Sequence, residues 1–125
     1  MTGLIFIGLS AAGGVGAALR LLVDGLVRSR SKLSFPIATF LINISGSLLL
    51  GLITGLTLAR VLPDSAHLVL GAGLLGGYTT FSTASFETVR LVQSRRFGAA
   101  VANGPGMLIV AVAAASLGLW IGSLL

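Results

Sequence analysis

The residues best placed to do chemistry form one run, Gly76-Gly77-Tyr78-Thr79-Thr80-Phe81-Ser82-Thr83-Ala84-Ser85-Phe86, inside an otherwise apolar segment from about His67 to Gln93. Two adjacent glycines and the β-branched pair Thr79 and Thr80 disfavour helix, so the run predicts a break there. In hydrocarbon a freed N–H or C=O costs several kcal/mol, and a break survives only where it is buried in protein, faces water or meets an ion. Helix ends near a bilayer midplane can present carbonyls to a cation and amides to an anion. Hydroxyls crowd the run and its continuation at Thr79, Thr80, Ser82, Thr83, Ser85 and Thr88. Together with the positive ring edges of Phe81 and Phe86 they form a neutral lining that could replace the hydration of a small anion without trapping it. Carbonyls at the break would suit a cation such as sodium.

The elements that position this run must be membrane helices. The chain has 125 residues, 55% of them hydrophobic and 9% charged, with a mean hydropathy of +1.07. A spanning helix needs about 20 apolar residues. Such stretches lie near residues 4–26, 36–59, 67–93 and 98–124, which leaves no room for a soluble domain. The expected architecture is a single all-α transmembrane domain over residues 1–125, with four spans and a broken third helix. The first apolar run has no basic residue before Arg20, unlike the charged leader of a signal peptide, and reads as the first span. There is no cysteine, hence no disulfide or thiolate chemistry. A lone histidine, His67, has no second histidine to chelate with. The net charge of +5 is scattered among apolar spans rather than gathered on a polar face, which points to anionic lipid and away from nucleic acid.

Other polar residues sit within the spans. Asn43, Ser47 and Thr54 share one face of the second, and an amide such as Asn43 is either interhelical glue or an uncharged donor for an anion. Arg20, with Asp24 four residues on, reads either as a snorkelling, partly paired arginine or as a fixed positive charge at the mouth of an anion path. Glu87 and Arg90 have the spacing to pair at the interface, the alternative for Glu87 being a role in proton coupling. Gly51 with Gly55, and Gly73 with Gly77, have the spacing of close helix contacts. The fourth span carries Asn103, a Gly104-Pro105-Gly106 interruption, Ser116 and the interfacial Trp120.

No nucleophile triad, carboxylate pair, phosphate loop or metal cluster is visible, so the sequence predicts passage rather than catalysis. A proton-coupled small multidrug-type transporter would need a membrane-embedded carboxylate, and span one offers only Asp24 near its end. A non-conducting packing subunit would explain the glycines but not a hydroxyl-rich break beside an amide stripe. The loops at 27–35 and 94–97 share a membrane side and hold Arg28, Arg30, Lys32, Arg95 and Arg96, against Arg60 in the other loop. The positive-inside rule therefore predicts cytoplasmic placement of both basic loops in the cell membrane, with both termini outside.

The run Gly76-Gly77-Tyr78-Thr79-Thr80-Phe81-Ser82-Thr83, with Asn43, the stretch from Gly14 to Arg20 and the four-span length, resembles the Fluc/CrcB fluoride channels, and the likeness covers essentially the whole chain. The resemblance implies an antiparallel dimer of four-helix subunits that passively exports fluoride and so limits its toxicity. It implies a structural Na+ at the dimer centre, held by the backbone carbonyls of Gly76 and Thr79. It implies Asn43 and Phe81 as pore residues, Ser82 and Ser85 as a polar track, and Arg20 in the vestibule; Thr80 and Phe86 join them as candidate pore residues. Where such channels have a second phenylalanine this chain has Ala84, and Phe86 lies two residues later, about 200° around a helix. Met107 and Ala111 stand where span four would carry hydroxyls or a tyrosine. A subunit inserted one way cannot form an antiparallel pair with itself, so the charge count favours an oppositely oriented paralogue as partner over a second copy.

Overall fold

A computed structural model describes residues 2–32 and 35–125. Met1, Leu33 and Ser34 lie outside the described residues, and with them part of the expected 27–35 loop. All elements among the described residues are helical. Helix α1 (Gly3–Arg30) starts where the Thr2 hydroxyl accepts from the Ile5 N–H at 3.2 Å. It runs past the expected end of the first span near residue 26, so Val27 to Arg30 are helix rather than loop. An Arg28–Asp24 pair at 2.8 Å, one turn apart, supports this polar extension. Helix α2 (Ile37–Leu58) follows Pro36.

The next segment is helical over 64–78 and constitutes α3: Asp64–His67, wide π turns over Leu68–Leu75, and Gly76–Tyr78. Helical backbone then stops, Thr79 is extended (φ −80°, ψ 160°), and α4 (Ser82–Gln93) begins. The last helix, α5 (Phe97–Ser123), widens into π turns at Ala102–Gly106, where Pro105 supplies no N–H. Three of these helices, α1, α2 and α5, are long and apolar enough to cross a membrane.

Close backbone approach organises the bundle. Helix α2 packs along α5, and a Cβ on Gly51 would overlap the Ala115 carbonyl, while one on Gly118 would overlap the Leu48 carbonyl. Helix α1 packs on α3 in the same way, with Gly16 against the Leu74 carbonyl and Gly77 against that of Gly13. In lipid, where apolar burial does not separate protein from solvent, such small-residue contacts hold helices together. The glycine at 77 therefore serves packing. Both members of the Gly76–Gly77 pair are helical, and the break falls later, on Thr79–Phe81.

Helices α2 and α4 end alike. Arg60 and Arg95 take left-handed conformations (φ 62° and 59°). Their N–H groups bond to Thr57 and Val92, and the following N–H groups bond back to Leu56 and Leu91. This is the termination that glycine normally supplies. Arg95→Gly is expected to stabilise the protein by about 1 kcal/mol by removing the Cβ clash of that conformation, read as a higher unfolding midpoint in detergent.

Candidate functional site

The interruption between α3 and α4 is held from α2. Asn43 Oδ1 accepts from the Thr80 N–H at 2.9 Å, and Asn43 Nδ2 donates to the Thr80 carbonyl at 2.8 Å and to Met107 Sδ at 3.2 Å. One side-chain amide thus pairs with both backbone groups of one residue and replaces the helical bonds that residue has lost. The Thr80 hydroxyl accepts from the Thr83 N–H and donates to the Thr83 hydroxyl, each at 3.2 Å, and so caps α4. Thr79 folds back, its N–H and its hydroxyl both donating to the Leu75 carbonyl at 2.9 Å. The Tyr78 hydroxyl lies 3.0 Å from that of Ser45, which itself donates to the Ile42 carbonyl, so Tyr78 is the donor between them.

These diversions have a specific effect on two carbonyls. In a continuous helix the N–H of Thr80 would bond to the Gly76 carbonyl and that of Thr83 to the Thr79 carbonyl. Both N–H groups go to side chains instead. The carbonyls of Gly76 and Thr79, the pair expected to hold sodium, therefore lose their helical donors, and both residues line the same groove. Neutral oxygens of this kind suit a hard cation. Among the described residues no cluster of three His, Cys, Asp or Glu side chains offers a metal an alternative.

The groove has a volume of about 1080 Å³, and its walls are mostly apolar. It gathers Asn43, Thr80, Phe81 and Ser85 with Gly76 and Thr79; Ser82, Phe86 and Arg20 are outside its lining. Phe81 is 87% exposed and Phe86 62%, so neither ring is buried within its own chain. Of the lining residues only His67 is ionisable. Its Nε2 lies 3.0 Å from the Thr54 hydroxyl, which gives its own proton to the Leu50 carbonyl, so His67 donates to Thr54.

The charged residues pair differently from their sequence spacing. Arg20 lies well inside α1. Its Nε donates to the Gly77 carbonyl at 3.4 Å, while Asp24 pairs with Arg28. Glu87 pairs not with Arg90 but with Arg28 at 3.4 Å, and accepts from the Thr39 hydroxyl at 2.7 Å. Arg90 instead lies over the Phe86 ring, 5.8 Å from its centroid. Sequence reasoning assigned no role to Thr39 or Asn103, both 1% exposed. An amide or hydroxyl in an apolar run was the available signal, but the partners are far away in sequence.

The profile of the family described as CrcB-like protein, Camphor Resistance (CrcB), matches residues 7–121. Relatives similar over nearly the whole chain are named as fluoride-specific ion channels. Fluoride-specific ion channel FluC 1 of Leifsonia xyli subsp. xyli is 52% identical over 124 residues, 99% of this chain and 90% of the relative. Fluoride-specific ion channel FluC 2 of Mycobacterium bovis is 44% identical over 97% of this chain and 93% of its own length. That of Cutibacterium acnes is 47% identical over 90% of this chain and 92% of its own. With its three long apolar helices and these relatives, the chain is a multi-pass membrane protein that belongs to the CrcB-like family.

Proposed function

We propose that this chain is a subunit of a fluoride-selective channel that lets fluoride leave the cell passively and so lowers cytoplasmic fluoride. The observation that carries the reading is the helix interruption at Thr79–Phe81, clasped by Asn43 and facing an apolar groove lined by neutral donors. The names of the relatives supply the identity of the anion, which neutral donors alone do not specify. The segment over residues 64–93 is the remaining crossing, third in chain order and broken within the bilayer. Asn43, Thr80, Phe81, Ser82, Ser85 and Phe86 lie along the anion's path, with Arg20 near its mouth. Embedded carboxylates free to exchange protons would favour a proton-coupled transporter, but Asp24 is tied to Arg28, and Glu87 to Thr39 and Arg28.

The open face of the groove is the dimer surface, and the partner is antiparallel. With both basic loops in the cytoplasm this chain inserts one way in the cell membrane, which favours an oppositely inserted paralogue. A structural Na+ would be held by the carbonyls of Gly76 and Thr79. When bound, it supplies positive charge that offsets the freed carbonyl dipoles and steadies the break.

Anion efflux from proteoliposomes, with this chain alone and with the paralogue, tests the reading. Fluoride is expected to leave and chloride to be retained, with full activity only in the mixed preparation. No fluoride efflux from either would overturn the channel; robust efflux from the chain alone would overturn the paralogue.

A further inference from the structure

Helix α4 is the least anchored element next to the interruption. It packs on the first part of α5 and only lightly on α2, and only Ala84 and Leu91 of its residues are buried. Its rotation about its own axis must therefore be fixed by polar ties. That rotation decides which side chains meet the groove, since one residue of slip turns a helix by about 100°.

Asn103 supplies such a tie from the wide turn of α5 around Pro105. It is 1% exposed, and its Nδ2 donates to the Ala84 carbonyl at 3.3 Å and to the Thr88 hydroxyl at 2.9 Å. The Thr88 hydroxyl gives its own proton to the Ala84 carbonyl at 2.7 Å. Both partners are thus acceptors, and the amide can face them only with its nitrogen. Its oxygen is left buried without a hydrogen-bond partner. An orphaned buried acceptor is destabilising and calls for an explanation. A leucine of similar size would fill the same space without the orphan, and Thr88 and Ala84 would remain bonded to each other. Stability alone therefore does not account for asparagine here.

We propose that Asn103 is a positioning residue for conduction: its amide locks the rotation of α4 so that Phe81 and Ser85 face the groove. Asn43 fixes the interruption from α2, and Asn103 fixes the helix beyond it from α5. The inference rests on the channel reading for its functional consequence, but its structural core does not.

The test is Asn103→Leu in the assembled channel, with the partner chain present if the channel needs one. The variant is expected to assemble, to unfold at the same or a higher temperature, and to pass fluoride about tenfold more slowly, the worth of roughly one lost hydrogen bond. Because the chain has no cysteine, Ser85→Cys gives a clean second readout. Its rate of modification by a small thiol reagent should shift when Asn103→Leu is added, which a purely stabilising role for Asn103 would not produce. Wild-type flux in the leucine variant, or unchanged labelling, would overturn the proposal. If the leucine variant does not assemble, Thr88→Val takes its place: it removes one of the two acceptors, a several-fold loss of flux is expected, and wild-type flux would overturn the proposal. If the unmodified protein passes no fluoride, the channel reading fails, and the labelling comparison still decides whether Asn103 sets the rotation of α4.

Discussion

Asn43→Asp is expected to abolish fluoride efflux, with a loss of about 1000-fold. Aspartate keeps an oxygen to accept from the Thr80 N–H but loses the donor that reaches the Thr80 carbonyl and Met107. One half of the clasp is then replaced by a carboxylate oxygen facing a carbonyl oxygen. The larger effect is charge: a carboxylate about 4 Å from a passing anion repels it by about 4 kcal/mol at an effective dielectric constant near 20, or about three orders of magnitude. Asn43→Ala separates the two contributions. It adds no charge but leaves the Thr80 N–H free to return to the Gly76 carbonyl, which favours continuous helix over the break. The alanine variant should therefore lose flux together with stability, whereas the aspartate variant should lose flux even where assembly persists. Efflux read with a fluoride electrode, beside size-exclusion profiles of each variant, checks both; wild-type flux in Asn43→Asp would remove Asn43 from the anion's path.

The sequence made the interruption legible but not its cause. Thr79 and Thr80 marked the right place, and Asn43 stood out because an amide in an apolar span needs a partner. That the partner is the backbone of Thr80, 37 residues away, could not be read from periodicity, which reports faces and not contacts. Glu87 shows the same limit: Arg90 has the helical spacing to pair with it, yet folding brings Arg28 and Thr39 to the carboxylate. The polar stretch 27–30 looked like loop, although a helix leaving hydrocarbon can continue in water with Asp24 and Arg28 paired along it. At Arg60 and Arg95 no glycine announced the helix ends, because arginine adopts the left-handed conformation there. Pro105 hinted at the wide turn in α5; the run Leu68–Leu75 gave no such signal for the turns in α3.

The Gly76–Gly77 pair shows why residue type alone was ambiguous, and it yields the second large prediction. Gly77→Ala is expected to abolish assembly and fluoride flux together. Its Cβ would overlap the Gly13 carbonyl of α1, and because a Cβ is fixed by its own backbone and the atoms it meets are backbone, no side-chain rotation relieves the conflict. Overpacking of this kind costs about 1–3 kcal/mol where neighbours can yield, and more where they cannot. Parting α1 from α3 would also withdraw Arg20 from the Gly77 carbonyl, disturbing the segment that enters the interruption. Gly14→Ala, next to Gly13 in α1 but with nothing within 4 Å of its Cβ, should be tolerated and serves as the control. Gly76→Ala is the informative contrast. Its Cβ would meet only the Gly71 carbonyl, at 3.9 Å, so the isolated subunit has room for it, and alanine in helix should be favoured by up to about 1 kcal/mol. Gly76 is also exposed and lines the groove. If Gly76→Ala folds as stably as the parent but no longer pairs or conducts, something outside this chain closes over the Gly76 carbonyl. If it pairs and conducts normally, the open face of the groove at Gly76 is not where the partner sits.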